Sequence, residues 1–191
     1  MPRIILASAS PARGWLLRQI GISFKVIPSR ILEPKISATK ETQIQDLALM
    51  KARHIASKIK RGLVIGADTI VVHRRRIVGK PRNRIEAKKI LKRLNGGTHS
   101  VLTGIAVVDA ETGREAVGCV RTSVKMKRLT EKEIDAYVAS REPLGKAGAY
   151  AVQGKGALLI ERINGCYYNI VGLPLPKLAD MLKKFHVSLI Q

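Results

Sequence analysis

Short unbroken apolar runs alternate along this chain with stretches whose apolar residues recur every three or four positions. That alternation predicts strands interleaved with helices. Residues 3–7 read as a short buried strand. Ser10 then stands as an N-cap, Pro11 falls at the first helical position, and Gly21 supplies a stop, while Trp15, Leu16 and Ile20 form an apolar side. A strand near 23–28 and a longer helix over about 42–60 follow. "GLVIGADTIVV" at 62–72 is the next strand, and Arg74–Arg76 turns it into a hairpin with 76–78. Asn83, with Glu86 three residues on, opens a helix that Gly96 and Gly97 close. Residues 98–109 and 114–126 read as two long strands joined through Thr112-Gly113. Thr130 and Glu133 form a capping box for a helix to about 139. Strands near 157–163 and 166–171 are linked by Asn164-Gly165, and Pro174 opens a final helix to about 185. Hairpins among irregularly spaced helices predict an α/β fold with a mixed sheet flanked by helices. No repeat or linker divides the chain, which reads as a single domain over 1–191.

Several polar residues stand where the pattern calls for apolar ones. In the helix 42–60, Ile44, Leu47, Ala48, Ala52, Ile55 and Ile59 define a buried face. At about 100° per residue, Lys51 falls within roughly 20° of Ile44, inside that face. It must snorkel, find a counter-ion or line a polar cleft. Asp68 interrupts a run that otherwise reads as a buried strand. Such a carboxylate should meet a cation, a metal or several donors, or else cap a bulge where Gly66 lets the strand bend. Lys80 in "GKP" offers a point charge suited to phosphate, although the same tripeptide serves in ordinary loops. Gln153, in the glycine-punctuated stretch 148–157, can donate and accept at a base edge or satisfy its own loop. Ser8, Ser10 and Arg13 crowd a helix entrance, where an anion or a plain cap would look alike.

Charge narrows the picture. The chain has 191 residues, with 35 Lys and Arg against 14 Asp and Glu, a formal net of +21. Such a surface attracts polyanions, so nonspecific nucleic-acid binding is expected. One Trp, four Tyr and two Phe are too few for the stacking platform of a single-strand binder. Two cysteines fit neither a disulfide scaffold nor a zinc site, which points to a reducing cytoplasm. No apolar run approaches the roughly 18–20 residues of a membrane span. The four histidines lack metal-ligand spacing, so a metal here must sit on carboxylates, which suits Mg or Mn and phosphate chemistry.

Taken in order, these features resemble one family. "LASASPAR" at 6–13, Glu33, "LALMKAR" at 47–53, "GADTIVV" at 66–72, "GKPRN" at 79–83, "LNGGTHSVLTGIAV" at 94–107, "SREPLGKAGAYAVQG" at 140–154 and "INGCYYNIVGLPL" at 163–175 resemble the Maf nucleoside triphosphate pyrophosphatases nearly end to end. The resemblance implies a twisted mixed sheet flanked by helices, with two lobes around a cleft, as in inosine triphosphate pyrophosphatases. It implies hydrolysis of a nucleoside triphosphate to monophosphate and pyrophosphate with a divalent metal, and it is nearest the dTTP/UTP branch. Asp68 would activate water, and Glu33 would join Asp68 in holding the metal. Ser8, Arg13, Lys51 and Lys80 would bind phosphates, and Thr69 and Gln153 would select the base. Ala12 stands where the family usually has an arginine, and Glu33 lacks the second acid often beside it. A homodimer is compatible with the resemblance. The rival reading is a nucleic-acid-binding or division-regulating protein with a vestigial cleft, favoured by the basic surface.

Overall fold

A computed structural model describes residues 2–34, 37 and 41–189. Its strands are β1 (Ile4–Leu6), β2 (Phe24–Val26), β3 (Leu63–His73), β4 (Arg76–Val78), β5 (Thr98–Asp109), β6 (Glu115–Met126) and β7 (Ile160–Asn164). Its helices are α1 (Pro11–Gln19), α2 (Glu41–Ala56), α3 (Arg84–Leu94), α4 (Glu131–Ala139), α5 (Tyr167–Val171) and α6 (Leu175–Lys183). One sheet holds all seven strands in the order β2-β1-β3-β5-β6-β7, with β4 also on β3. β1 runs parallel to β2 and β3, and every other pair is antiparallel. The mixed α/β sheet expected from the sequence is the one that forms.

Local signals set most helix starts. Asn83 caps α3 by accepting the Glu86 N–H, and Thr130 with Glu133 closes a full capping box on α4. Ser10 departs from expectation: it holds the N-cap position of α1, but its side chain makes no capping hydrogen bond. Its backbone N–H donates instead to Ser8 Oγ at 3.2 Å.

Residues 166–171 also depart, because Tyr167–Val171 is the helix α5 rather than a strand. Aromatic and β-branched residues there satisfy strand propensity, but tertiary contact overrides it. Asn169 donates from Nδ2 to Val101 O and Thr122 Oγ1, each at 3.0 Å, and so docks a helical turn on the sheet face. Residues 154–159, the start of the other expected strand, form a 3-10 turn before β7.

Helix α2 lies directly on one face of the sheet. A Cβ on Gly66 would stand 2.2 Å from Ala48 O, and one on Gly104 would stand 2.0 Å from Ile44 O. Gly66 therefore admits a helix backbone rather than a bend, and β3 keeps unbroken register with β5 from Leu63 to Val72. The opposite face carries α1 and α6 near one end and α3 and α4 near the other.

On both faces the apolar core is interrupted at the same level. Toward α2, Val64, Ala106 and Val108 belong to one cluster, and Ile70, Val72 and Leu102 to another. On the far side, Ile65, Ala67 and Ile105 are separated from Val71 and Val101. Asp68 and Thr69 occupy the gap, one facing each way. That gap separates the apolar clusters at the two ends of the sheet.

Candidate functional site

The gap opens at a notch in the sheet. β1 pairs with β3 only as far as Ile65, and β4 begins pairing at Val71. Among the described residues no strand therefore neighbours residues 66–70 of β3 on that edge, although β5 pairs them on the other. Asp68 and Thr69 stand in the middle of this free edge.

On the α2 side the site is ionic. Lys51 Nζ lies 2.5 Å from Asp68 Oδ1 and 2.6 Å from Glu33 Oε1. The lysine side chain is 10% exposed, that of Asp68 18% and that of Glu33 55%. Of the three fates open to Lys51 from its helical position, it takes the counter-ion. Two carboxylates face one ammonium, leaving the trio a formal charge of −1. The close seating of α2 on Gly66 and Gly104 brings Lys51 to this depth.

On the other side the site is built from hydrogen bonds. Arg13, from the first turn of α1, donates from Nε to Gly172 O (2.8 Å), from Nη1 to Ser8 Oγ (2.9 Å) and from Nη2 to Thr69 Oγ1 (3.0 Å). Thr69 and Thr103 share a hydrogen bond of 2.9 Å, and Thr103 Oγ1 donates to Asn169 O at 3.1 Å. Arg13 is buried, and among the described residues no carboxylate lies within ion-pair distance of it. Burial lowers the pKa of its guanidinium, while the fields of Asp68 and Glu33 pull the other way. Three of its five N–H donors are spent on neutral acceptors, and two remain. The arrangement is a fixed cation open to an anion, beside an α1 first turn that the Ser10 side chain leaves uncapped.

The structure therefore brings Ser8, Arg13 and Thr69 together on one side of β3, and Glu33, Lys51 and Asp68 on the other. Lys80 is exposed, two residues beyond Val78, the partner of Val71. It stands at the rim of the notch and touches neither group. Gln153 is half-buried in the loop whose Gly148 N–H donates to Gly79 O at 3.3 Å, and it makes no contact with the other candidates. Ala12 is half-buried beside Arg13. Sequence reasoning did not single out Thr103, Asn169 or Gly172, which hold Arg13 and Thr69 in place.

Two carboxylate oxygens converging on one point suit a hard divalent cation. Among the described residues no group of three or more His, Cys, Asp or Glu could hold a metal. The donor set nevertheless fits a magnesium-like ion of the kind that takes one or two carboxylates and completes its shell with water and phosphate oxygens.

The family model described as Maf-like protein matches residues 3–185. A dTTP/UTP pyrophosphatase of Acetivibrio thermocellus is 48% identical over 199 residues, covering 100% of this chain and 99% of that protein. One from Pelotomaculum thermopropionicum is 48% identical over 186 residues, covering 97% of each. Among solved structures, the Staphylococcus aureus Ham1 protein is similar at 16% identity, over 65% of this chain and 71% of that one, with a TM-score of 0.43.

Proposed function

As this chain belongs to the Maf family, we propose that it hydrolyses nucleoside triphosphates, dTTP and UTP foremost, to the monophosphate and pyrophosphate. The observation that carries this reading is the pairing of opposite charges across one strand. An acidic trio of net −1 lies on one side of residues 68–69, and an unneutralised arginine lies on the other. A metal-bound triphosphate has the complementary polarity.

Asp68 is the group we assign to accept the proton of the attacking water. The water oxygen forms a bond to the α-phosphorus, the bridging bond to the β-phosphate breaks, and pyrophosphate leaves. Positioning and charge neutralisation do most of the work in such a transfer. A divalent cation, Mg or Mn, would be held by Asp68 and Glu33, and it supplies a Lewis-acid charge and an activated water. Arg13 and Ser8 bind phosphate at the entrance of α1. Lys51 and Lys80 stabilise charge developing on the leaving group. Gln153 reads the base, and Thr69, whose hydroxyl is engaged with Arg13, contributes through the placement of that arginine. Both cysteines are unpaired, which supports a reducing compartment, the cytoplasm. No described helix is long and apolar enough to cross a membrane.

A panel of nucleoside triphosphates assayed for pyrophosphate release, with and without a chelator, tests this reading. Release from dTTP and UTP that stops with chelator is the expected result. No hydrolysis of any nucleotide would favour a vestigial cleft, and stepwise release of single phosphates would place the cleavage elsewhere.

A further inference from the structure

We propose that the β3–β4 hairpin tip and the adjoining Lys89/Arg93 side of α3 form a docking surface for the phosphodiester backbone of nucleic acid, bound without regard to sequence. The proposal does not depend on the hydrolytic reading; of the residues on this surface only Lys80, at its border, also serves the nucleotide site.

The first observation is conformational. Arg74 and Arg75 form the hairpin turn, with φ of 49° and 61°. A two-residue turn with both central residues left-handed is the setting in which Asn-Gly is favoured, because L side chains crowd the backbone there. Folding alone gives no reason for arginine at either position. Two exposed guanidinium groups projecting from a strained tip do have a reason if the tip meets an anion.

The second observation is electrostatic. Arg74, Arg75, Arg76, Lys89 and Arg93 have no carboxylate within ion-pair distance among the described residues. The nearby acids are committed elsewhere: Glu86 to Arg82, Glu131 to Lys88 and Lys92, and Asp135 to Lys88. Arg74 and Arg93 both act on the His73 imidazole, whose pKa burial lowers first and these two charges lower further. The tip and the helix therefore share one field. Between β4 and α3 runs a groove of about 300 Å³, lined by Ile77, Gly79, Lys80, Lys89 and Arg93, with Glu86 held by Arg82 on its wall.

The chemistry of the surface selects the partner. No exposed large apolar side chain lies on residues 73–80, so the hairpin has nothing to insert into a lipid surface. Residues 73–93 contain no Phe, Tyr or Trp, so bases have no ring to stack on. Cations and donors without aromatics suit backbone phosphates, which position a nucleic acid but do not read it.

The test is binding of a labelled 20-base-pair duplex across a salt series. Five cations on the backbone give log K a slope of about −4.5 against log salt. Arg74→Asn/Arg75→Gly should lessen that slope by about 2 and weaken binding by roughly sixtyfold at 0.1 M salt. Because Asn-Gly suits the turn, the same variant should unfold in urea no earlier than the wild type, which separates lost binding from lost folding. Lys60→Asn/Arg61→Asn removes equal charge roughly 35 Å away, at the other end of the 11-residue β3, and should weaken binding less than threefold. An unchanged slope in the hairpin variant, or equal weakening by both variants, would overturn the proposal. So would tighter, arginine-dependent binding to phosphatidylserine vesicles than to the duplex.

Discussion

Asp68 and Thr69 are neighbours in one strand, yet the two faces they serve are held by different physics. Asp68 sits in a cluster of full charges, where one lysine answers two carboxylates at 2.5 and 2.6 Å. Such a cluster can exchange its cation, because an arriving divalent ion offers the carboxylates what Lys51 offers now. Thr69, itself half-buried, sits in a chain of neutral acceptors running through the buried Thr103 to the buried Asn169, beside the buried Arg13. That face cannot exchange its cation without stranding several buried groups. One face is built to be re-partnered and the other to stay fixed. A metal-bound polyphosphate needs both: a site that takes up the cation and a cation that is already placed.

The largest test of this contrast is Asp68→Asn. Removing a positioned general base costs roughly 10²- to 10⁴-fold in kcat. Glu33 still holds Lys51, so the urea midpoint should move little. A variant that keeps its rate of pyrophosphate release but loses stability would make Asp68 a structural counter-ion, and the contrast would fail. Gly66→Ala probes the same face through packing. Its Cβ would meet the Ala48 carbonyl at 2.2 Å, so α2 must retreat and carry Lys51 with it. Overpacking of this kind costs about 1–3 kcal/mol, or more against backbone, and kcat should fall with stability. Both are read from urea unfolding and initial rates on one preparation.

The two faces were also unequally legible in the sequence. Lys51 and Asp68 stand out because a charge in an apolar period is an anomaly that local pattern exposes. Their mutual contact and the arrival of Glu33 from a loop depend on how α2 seats on Gly66 and Gly104, which no local pattern encodes. Thr69 and Thr103 fit strand propensity and raise no signal by themselves; only the resemblance pointed to Thr69. Asn169 gave a faint one, a lone amide among apolar residues, but "YYNIV" has strand chemistry and its helix is set by a contact 68 residues away. Lys80 and Gln153 carry a signal only through their motifs; the structure leaves Lys80 at the rim of the notch and Gln153 in a loop without contact to the other candidates. Sequence reports a residue that violates its surroundings, and it is silent about one that conforms to them.

A smaller effect separates folding from chemistry. His99 is buried against Tyr150 at 2.8 Å, and burial, followed by the field of His73, lowers its pKa from 6.5 to about 4. The unfolded chain therefore takes up a proton between about pH 6.5 and 4 that the folded chain refuses. Stability should fall as pH falls through that window and stay flat above it, with about 2 kcal/mol lost at pH 5. His73 is lowered by the same cause and acts in the same sense. Urea midpoints at pH 7 and pH 5 measure the loss, and His99→Gln should reduce it.

The smallest change is the most discriminating. Thr69→Val keeps the shape of the side chain and removes the hydroxyl that accepts from Arg13 and bonds to Thr103. Stability should fall by about 1 kcal/mol, the usual worth of such a bond. The consequence for function should be confined to Arg13, whose Nη2 loses its anchor. KM for the nucleotide should then rise severalfold with kcat nearly unchanged, the signature of weakened ground-state binding. Under the proposed assignment the metal concentration for half-maximal rate is set by Asp68 and Glu33 on the other face, and it should not move. If it does move, the anion and cation halves are coupled through the strand, and the notch works as one site.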